Sequence, residues 1–431
     1  TPDSAGLEYV ALQTMIRRSL RYPYERIQDL LDETSSTLQV QSTFEYSTVS
    51  LGTLNKYLEN LLPLWADCIV APVFSELDFS QVLSDARLAL QAKEQDPWAT
   101  TALVMNREFF GNHPYGNVPE GTVSSLAKID LDAVRRWYQE SFSANRLFVV
   151  AVGNIDSALL KTLLETSIGT IPDRKVPLPK GAPKFTEFTA DASQVSDPRG
   201  ATPQGRSSEE RGNQEALHKG SSRLVKVDYP QSRGLAYLRG DFPAPSPADR
   251  DYMPLNIGMK MLSDLFFHII RDTYGATYSP GAYIRNFPAN YGSLVIYKTK
   301  VPFKVKAYID EAVAELAAGR CMSVEMKEES EASVEQFTSI DQALSAYKAL
   351  FLSEYYHNQQ TNAQQAHVII NSVVTTGDYR SYLLDMERIE AVQAQDIQRV
   401  FEQYVLNGTY TWVLTGSKDV LDPVRLEDFS R

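Results

Sequence analysis

The feature that constrains this chain most is that its two halves repeat each other. Leu54, Leu58, Leu61, Leu62 and Trp65 mark an apolar helix face, and Val305, Ile309, Ala312, Val313 and Leu316 repeat its spacing. Each run follows a strand-like segment in which Tyr46 and Thr48 match Tyr297 and Thr299. Further on, Val134, Arg136 and Tyr138, then Val150 and Gly153, match Ile397, Arg399 and Phe401, then Val413 and Gly416. The order strand, helix, two long helices, helix, strand recurs in both halves. In a chain of 431 residues this period is too long for a solenoid. It fits two homologous α+β domains, each a mixed sheet packed with helices and of ordinary size, about 200 residues. The expected division is residues 1–182, a linker at 183–221, and residues 222–431. In the linker Ser, Gly, Pro, Gln, Glu and Arg displace apolar residues, the composition of a mobile connection.

Periodicity predicts helices over 7–20, 24–32, 53–71, 80–110, 131–141, 250–270, 302–318, 323–358 and 360–400. Pro63 should kink or break the third, Asp130 should cap the fifth, and Gly319 should end the helix that Pro302 opens. Residues 36–51 read as strand, as do 223–229, 234–238, a pair through Tyr283 and 293–301, and 410–416. The apolar run from Arg146 to Gly153 is expected at the centre of a sheet covered on both faces.

Composition excludes some partners. The formal net charge of −12 argues against nucleic acid, which needs a basic face, and is compatible with a soluble protein or a positively charged substrate. No apolar run approaches membrane-spanning length. Cys68 and Cys321 have neither metal spacing nor a disulfide framework and are expected as buried thiols. The sequence opens without Met and without a signal-peptide pattern, so its native start is expected upstream.

The stretch Phe266–Ser279 is the candidate site. An apolar helical run ends at Arg271-Asp272, turns at Gly275 and continues into the β-prone Ala276–Ser279. Read from the residues alone, Arg271 complements a helix C-terminus and Tyr278 caps a core. The histidines offer no alternative chemistry. His113 lies in the loop Phe109–Gly116, His268 on an apolar helix and His218 in the linker, while His357 and His367 have no ligand partner at metal spacing.

With Phe109–Gly116 read as F-x-x-H-P-Y-G, Gly121 beyond it, the strand ending in Val152-Gly153, and Ile270-Arg271 with Gly275–Ser279, the chain resembles the M16 (pitrilysin/insulinase-type) metallopeptidases. The resemblance implies one half of a clamshell, similar to two-subunit bacterial forms, with strands expected ahead of Gly6. In that family one half carries an inverted zinc motif, His-x-x-Glu-His, with a further Glu downstream. Here its histidine positions fall at Tyr9 and Gln13, its Glu position at Leu12, and the region Arg87–Ala92 holds no carboxylate. This half is therefore expected to bind no cofactor, with zinc in a partner half, either a separate subunit or part of a longer chain. Arg271 and Tyr278 would then position an extended peptide and stabilise the oxyanion across the chamber. The strand edge Ser36–Thr43 is a second place where a peptide could add. The alternatives are a non-catalytic structural subunit of core-protein type and a self-sufficient peptidase. Similarity to the two-subunit forms suggests the bacterial periplasm or cell envelope.

Overall fold

The computed structural model describes residues 4–178, 181–185, 222–323 and 337–429. Most of the expected linker and the start of the 323–358 helix lie outside them. The strands are β1 (Thr37–Ser42), β2 (Ser47–Gly52), β3 (Arg223–Asp228), β4 (Ala236–Pro243), β5 (Thr277–Ile284), β6 (Tyr291–Thr299), β7 (Arg320–Met322), β8 (Phe337–Ser339) and β9 (Thr411–Gly416). The protein is mixed α+β, and its contacts divide it into two units that exchange segments. One comprises residues 1–93, 114–181 and 359–374; the other comprises 94–113, 182–358 and 375–431.

The second unit holds a five-stranded sheet in the order β3-β9-β4-β6-β5. β3 runs parallel to β9, and the other pairings are antiparallel. Strand alternation sends Leu238, Phe242, Ala282, Ile284, Leu294, Ile296, Trp412 and Leu414 to one face. There they share a core with the helices Tyr252–Phe266 and Pro302–Ala317. Gly240 is required where it stands, because a Cβ would lie 2.3 Å from the Trp412 ring. The helix Pro97–Met105 covers the opposite face. Thr101 meets the Thr415 hydroxyl at 2.8 Å, and Trp98 packs edge-on to Tyr297. On that face Arg239 forms a buried bidentate pair with Asp241, which also accepts from Ser293. With both faces covered, β4 is buried along nearly its whole length.

The elements depart from expectation in several places. The stretch 36–51 is a hairpin of two strands, β1 and β2, and not one run. The first helix ends at Met15, and Ser19 bridges to Pro72. Pro63 does not break the helix Asn55–Val70. The carbonyl it deprives of a donor belongs to Glu59, which is exposed and free to meet water. The 80–110 zone splits at Asp96, whose carboxylate caps the next helix by accepting from Ala99 N–H. The 360–400 zone likewise divides, into Asn362–Thr376, Asp385–Ala391 and Ala394–Phe401. Asp130 does cap Leu131–Ser141, accepting from Ala133 N–H at 2.7 Å.

The largest correction concerns residues 146–153. They form no ladder, and Leu147, Phe148 and Val149 are 37%, 49% and 43% exposed. Their repeat counterpart, β9, sits between β3 and β4. Among the described residues of the first unit no strand takes either of those places, so an apolar run suited to a sheet centre has nothing to pair with.

The repeat itself holds in a shifted register. The helices Asn55–Val70 and Pro302–Ala317 each have 16 residues and follow strands ending at Gly52 and Thr299. Leu58, Leu62, Trp65, Ala66 and Ile69 therefore stand where Val305, Ile309, Ala312, Val313 and Leu316 stand, and both sets face their cores. Leu54, in the sequence register the partner of Val305, is an exposed helix cap.

Candidate functional site

The helix that begins at Tyr252 does not end in a standard turn. Its last residues, Phe267–Thr273, widen into a π-helical turn. Tyr274 N–H reaches back to the Ile269 carbonyl at 3.1 Å, and Ala276 N–H to that of Ile270 at 2.9 Å. Gly275 then takes φ +57°, a left-handed conformation that glycine adopts without strain, and lets the chain reverse into β5. Ile269 and Ile270 anchor this turn in the core. Phe267 and Arg271, four residues apart on a helical path, lie on its outer side. Wide turns of this kind are frequent at functional sites.

The turn brings the predicted pair together. The Arg271 guanidinium carbon lies 4.4 Å from the centroid of the Tyr278 ring and 5.5 Å from that of Phe267. Its Nε is 3.6 Å from Asp272. Tyr278 is 75% exposed on β5, an edge strand whose single neighbour among the described residues is β6. Pro280, which cannot donate to a ladder, suits that edge. A guanidinium over an aromatic ring can still donate through its in-plane N–H groups. Phe267 is the member that sequence reasoning missed, although its position one turn before Arg271 was a readable signal. Beside it Tyr274 stacks on Tyr308 with centroids 3.9 Å apart and donates to Glu311 at 2.9 Å. That hydrogen bond is the main reason the Tyr274 phenol is pushed up.

The residues where the resemblance places the zinc motif do not suit a metal. Tyr9, Leu12 and Gln13 all lie on the helix Leu7–Met15. Leu12 is buried among Met15, Leu62, Trp65 and Ile69. Tyr9 is half-buried, its phenol pushed up chiefly by burial and hydrogen-bonded to Gln13 one turn along. A phenol, an isobutyl group and an amide cannot supply the imidazoles and carboxylate of a catalytic zinc site. Among the described residues no group of three or more His, Cys, Asp or Glu side chains could hold a metal ion.

The remaining candidates are structural in their surroundings. His113 is 1% exposed, its Nε2 2.7 Å from the Pro183 carbonyl and its ring 4.3 Å from that of Phe185. His268 packs edge-on to Phe337 at 5.2 Å. Tyr115 stacks on Phe44 and donates to Glu45. The strand edge singled out at Ser36–Thr43 is β1, paired among the described residues on one side only, with β2.

This α+β fold carries an Arg/Tyr element on an edge strand and non-ligand residues where the resemblance places the zinc motif, and it is similar to M16-type proteins in fold. Residues 128–320 match the family model described as the Peptidase M16 inactive domain. A non-peptidase homolog, YmxG, from Helicobacter pylori is 26% identical over 146 residues, covering 34% of each chain. In fold, the chain is similar to a protease from Helicobacter pylori, with a TM-score of 0.76, 11% identity, and 96% of this chain and 90% of that one covered. It is similar also to a peptidase M16 inactive domain from Pseudomonas fluorescens, with a TM-score of 0.74, 13% identity, and 96% and 89% covered. The matches to the first four curated relatives span between 34% and 50% of their lengths. No described helix is long and apolar enough to cross a membrane.

Proposed function

We propose that this chain is the non-zinc-binding half of an M16-type zinc endopeptidase, completing the active site of a zinc-bearing half. The observation that carries the reading is the Arg271–Tyr278 pair at an edge strand, the guanidinium carbon of half-buried Arg271 lying 4.4 Å from the centroid of the exposed Tyr278 ring. It stands in a chain whose own metal positions hold Tyr9, Leu12 and Gln13. The partner's zinc would polarise the scissile carbonyl. The work of this chain is to hold the extended peptide backbone, with the Arg271 N–H groups and the Tyr278 hydroxyl donating to substrate carbonyl oxygens. Donors of this kind also favour the charge that develops as water attacks. Alone, the pair has nothing to catalyse.

The test is co-purification with a zinc-bearing M16 subunit from the same source, followed by turnover of a quenched fluorescent peptide. Arg271→Ala or Tyr278→Phe is expected to lower kcat/KM about a hundredfold, the usual loss for one oxyanion donor. Undiminished turnover by the double variant would sink the reading. A structural subunit is the second reading, favoured by the relative named a non-peptidase homolog. It predicts a complex whose assembly depends on this chain and whose chemistry does not depend on Arg271.

A further inference from the structure

One rung crosses the five-stranded sheet as Arg223, Thr411, Asp241, Ser293 and Tyr283, and residues on a rung share a face. Two residues from Asp241 and Tyr283 along the chain, Arg239 and Arg285 fall on that same face. Of these three arginines, two are given an acid. Arg223 pairs with Glu108 at 3.0 Å, and Glu108 also pairs with Arg107. Arg239 holds Asp241, which also accepts from Ser293. Arg285 is given none. It follows β5 directly, and its backbone N–H donates to the Tyr291 carbonyl at 2.9 Å. Its guanidinium carbon lies 4.7 Å from the Tyr283 centroid and 5.8 Å from that of Tyr291. Its Nη2 donates to the Tyr283 hydroxyl at 3.4 Å. Its Nε is buried with no hydrogen-bond partner, and the side chain joins no ion pair among the described residues.

A half-buried cation without a counter-ion costs free energy, and a buried polar atom left unpaired calls for an explanation. Scarcity does not supply one, since the chain has 54 acidic residues against 42 basic ones. The acids of this face do not supply one either, because Glu108 and Asp241 are already shared. Tyrosine rings steady a guanidinium but bring no negative charge, and its in-plane N–H groups can still donate. Around the same spot the Tyr291 ring meets half-buried Phe109 and Phe287, with centroids 5.7 and 6.3 Å away. A cation among aromatic rings suits a carboxylate carried next to an apolar group. We propose that Arg285 binds a carboxylate of the peptide substrate, with an adjoining aromatic side chain packed on Phe109 and Phe287. This rests on the peptide-positioning reading of Arg271 and Tyr278. Tyr278 stands seven residues earlier, roughly 23 Å away at about 3.3 Å per residue, and on the other face of β5. An extended peptide beside β5 alternates its own side chains between the two faces, so one peptide can reach both places.

The experiment measures fluorescence anisotropy of the full chain with three dye-labelled peptides of the same length, each ending in Phe. One has a free C-terminus and a Gln before the Phe, one the same sequence with an amidated C-terminus, and one an amidated C-terminus with Glu in place of that Gln. The wild type is expected to prefer a carboxylate-bearing peptide over the neutral one, and whichever of the two is preferred identifies C-terminus or side chain as the source. No preference for either overturns the Arg285 assignment. Arg285→Gln should weaken the preferred peptide about tenfold, the worth of one charge-assisted contact, and leave the neutral peptide unchanged. Arg285→Lys keeps a cation over the rings and loses the planar fork, so it should fold like wild type and lose most of the preference. Equal weakening of all three peptides by Arg285→Gln would make the residue structural and overturn the assignment. Arg271→Ala should weaken all three peptides. If it does so while Arg285→Gln keeps the preference, the Arg285 assignment falls and the positioning reading stands. If Arg285→Gln removes the preference and Arg271→Ala changes nothing, the carboxylate site stands and the positioning reading falls.

Discussion

The Arg271 guanidinium carbon lies 4.4 Å from the Tyr278 centroid and 5.5 Å from that of Phe267; the meeting of Arg271 and Tyr278 across a glycine turn was legible in the sequence, while a role for the pair came only from the resemblance. A planar guanidinium can lie over an aromatic ring such as that of Tyr278 and still donate in its own plane; an ammonium cannot do both. Arg271→Lys is therefore expected to behave nearly as Arg271→Ala in turnover of the reconstituted complex, and near-native kcat/KM for the lysine variant would count against the stacked geometry. Phe267 escaped notice because an aromatic on an apolar helix reads as core, and its place one turn before Arg271 was not weighed against that. The cysteines were legible as buried thiols, and both are buried and free. Burial pushes Cys68 and Cys321 up to about 12. Since the thiolate is the reactive form, neither should react with a thiol reagent in the native chain, and two should appear on unfolding. Labelling of either before unfolding would contradict the packing. His113 is pulled below its ordinary value, chiefly by burial. The fold favours its neutral form, so its contribution to stability is full above about pH 6.5, the unfolded value, and is lost as pH falls below that. Urea midpoints measured at about pH 7 and pH 5 should fall less for His113→Gln than for wild type; parallel losses would place the acid sensitivity elsewhere.

Elements were legible where the chain sets its own structure and illegible where neighbours set it. A helix face repeats almost unchanged after four residues, so the sequence could match the two halves one turn out of register; only the strands at Gly52 and Thr299 settle which turn is meant. The run 146–153 has a strand's composition, but a strand exists only with partners, and composition does not report whether they are there. The helix Leu7–Met15 shows the same dependence in chemistry. The resemblance places a zinc motif on it at Tyr9, Leu12 and Gln13, yet the sequence could not show that Leu12 lies in the core. Restoring the motif as Tyr9→His, Leu12→Glu and Gln13→His should therefore fail. The Glu would be buried among Met15, Leu62 and Trp65 at a cost of about 3 kcal/mol or more, and Arg87–Ala92 still offers no carboxylate as third ligand. Calorimetry should show a lowered thermal midpoint and no stoichiometric zinc binding. Tight binding would mean that the departure is confined to three side chains.

For the whole molecule, the repeat suggested two domains separable at the linker, and the contacts assign segments differently. Residues 94–113 come from the first half and belong to the second unit, where Thr101 is buried against Thr415 and Trp98 packs on Tyr297. Residues 359–374 come from the second half and belong to the first unit, where Tyr46 donates to Asn371 at 2.9 Å. A cut in the linker would take from the five-stranded sheet the helix Pro97–Met105 that covers one face, exposing Tyr237, Tyr297 and the buried Arg239–Asp241 pair. Uncovering such a face removes apolar burial worth roughly 25 cal/mol per Å² and leaves an ion pair half-solvated, enough together to threaten a margin of about 5–15 kcal/mol. Residues 1–182 and 222–431, expressed separately, are thus expected to lack cooperative thermal transitions, and co-expression should restore one. The exchange was illegible because periodicity reports which face of a helix is apolar and not which sheet it covers. A sharp calorimetric transition from residues 222–431 alone would show that the helix Pro97–Met105 is dispensable, and would return the linker to the role of a true domain boundary.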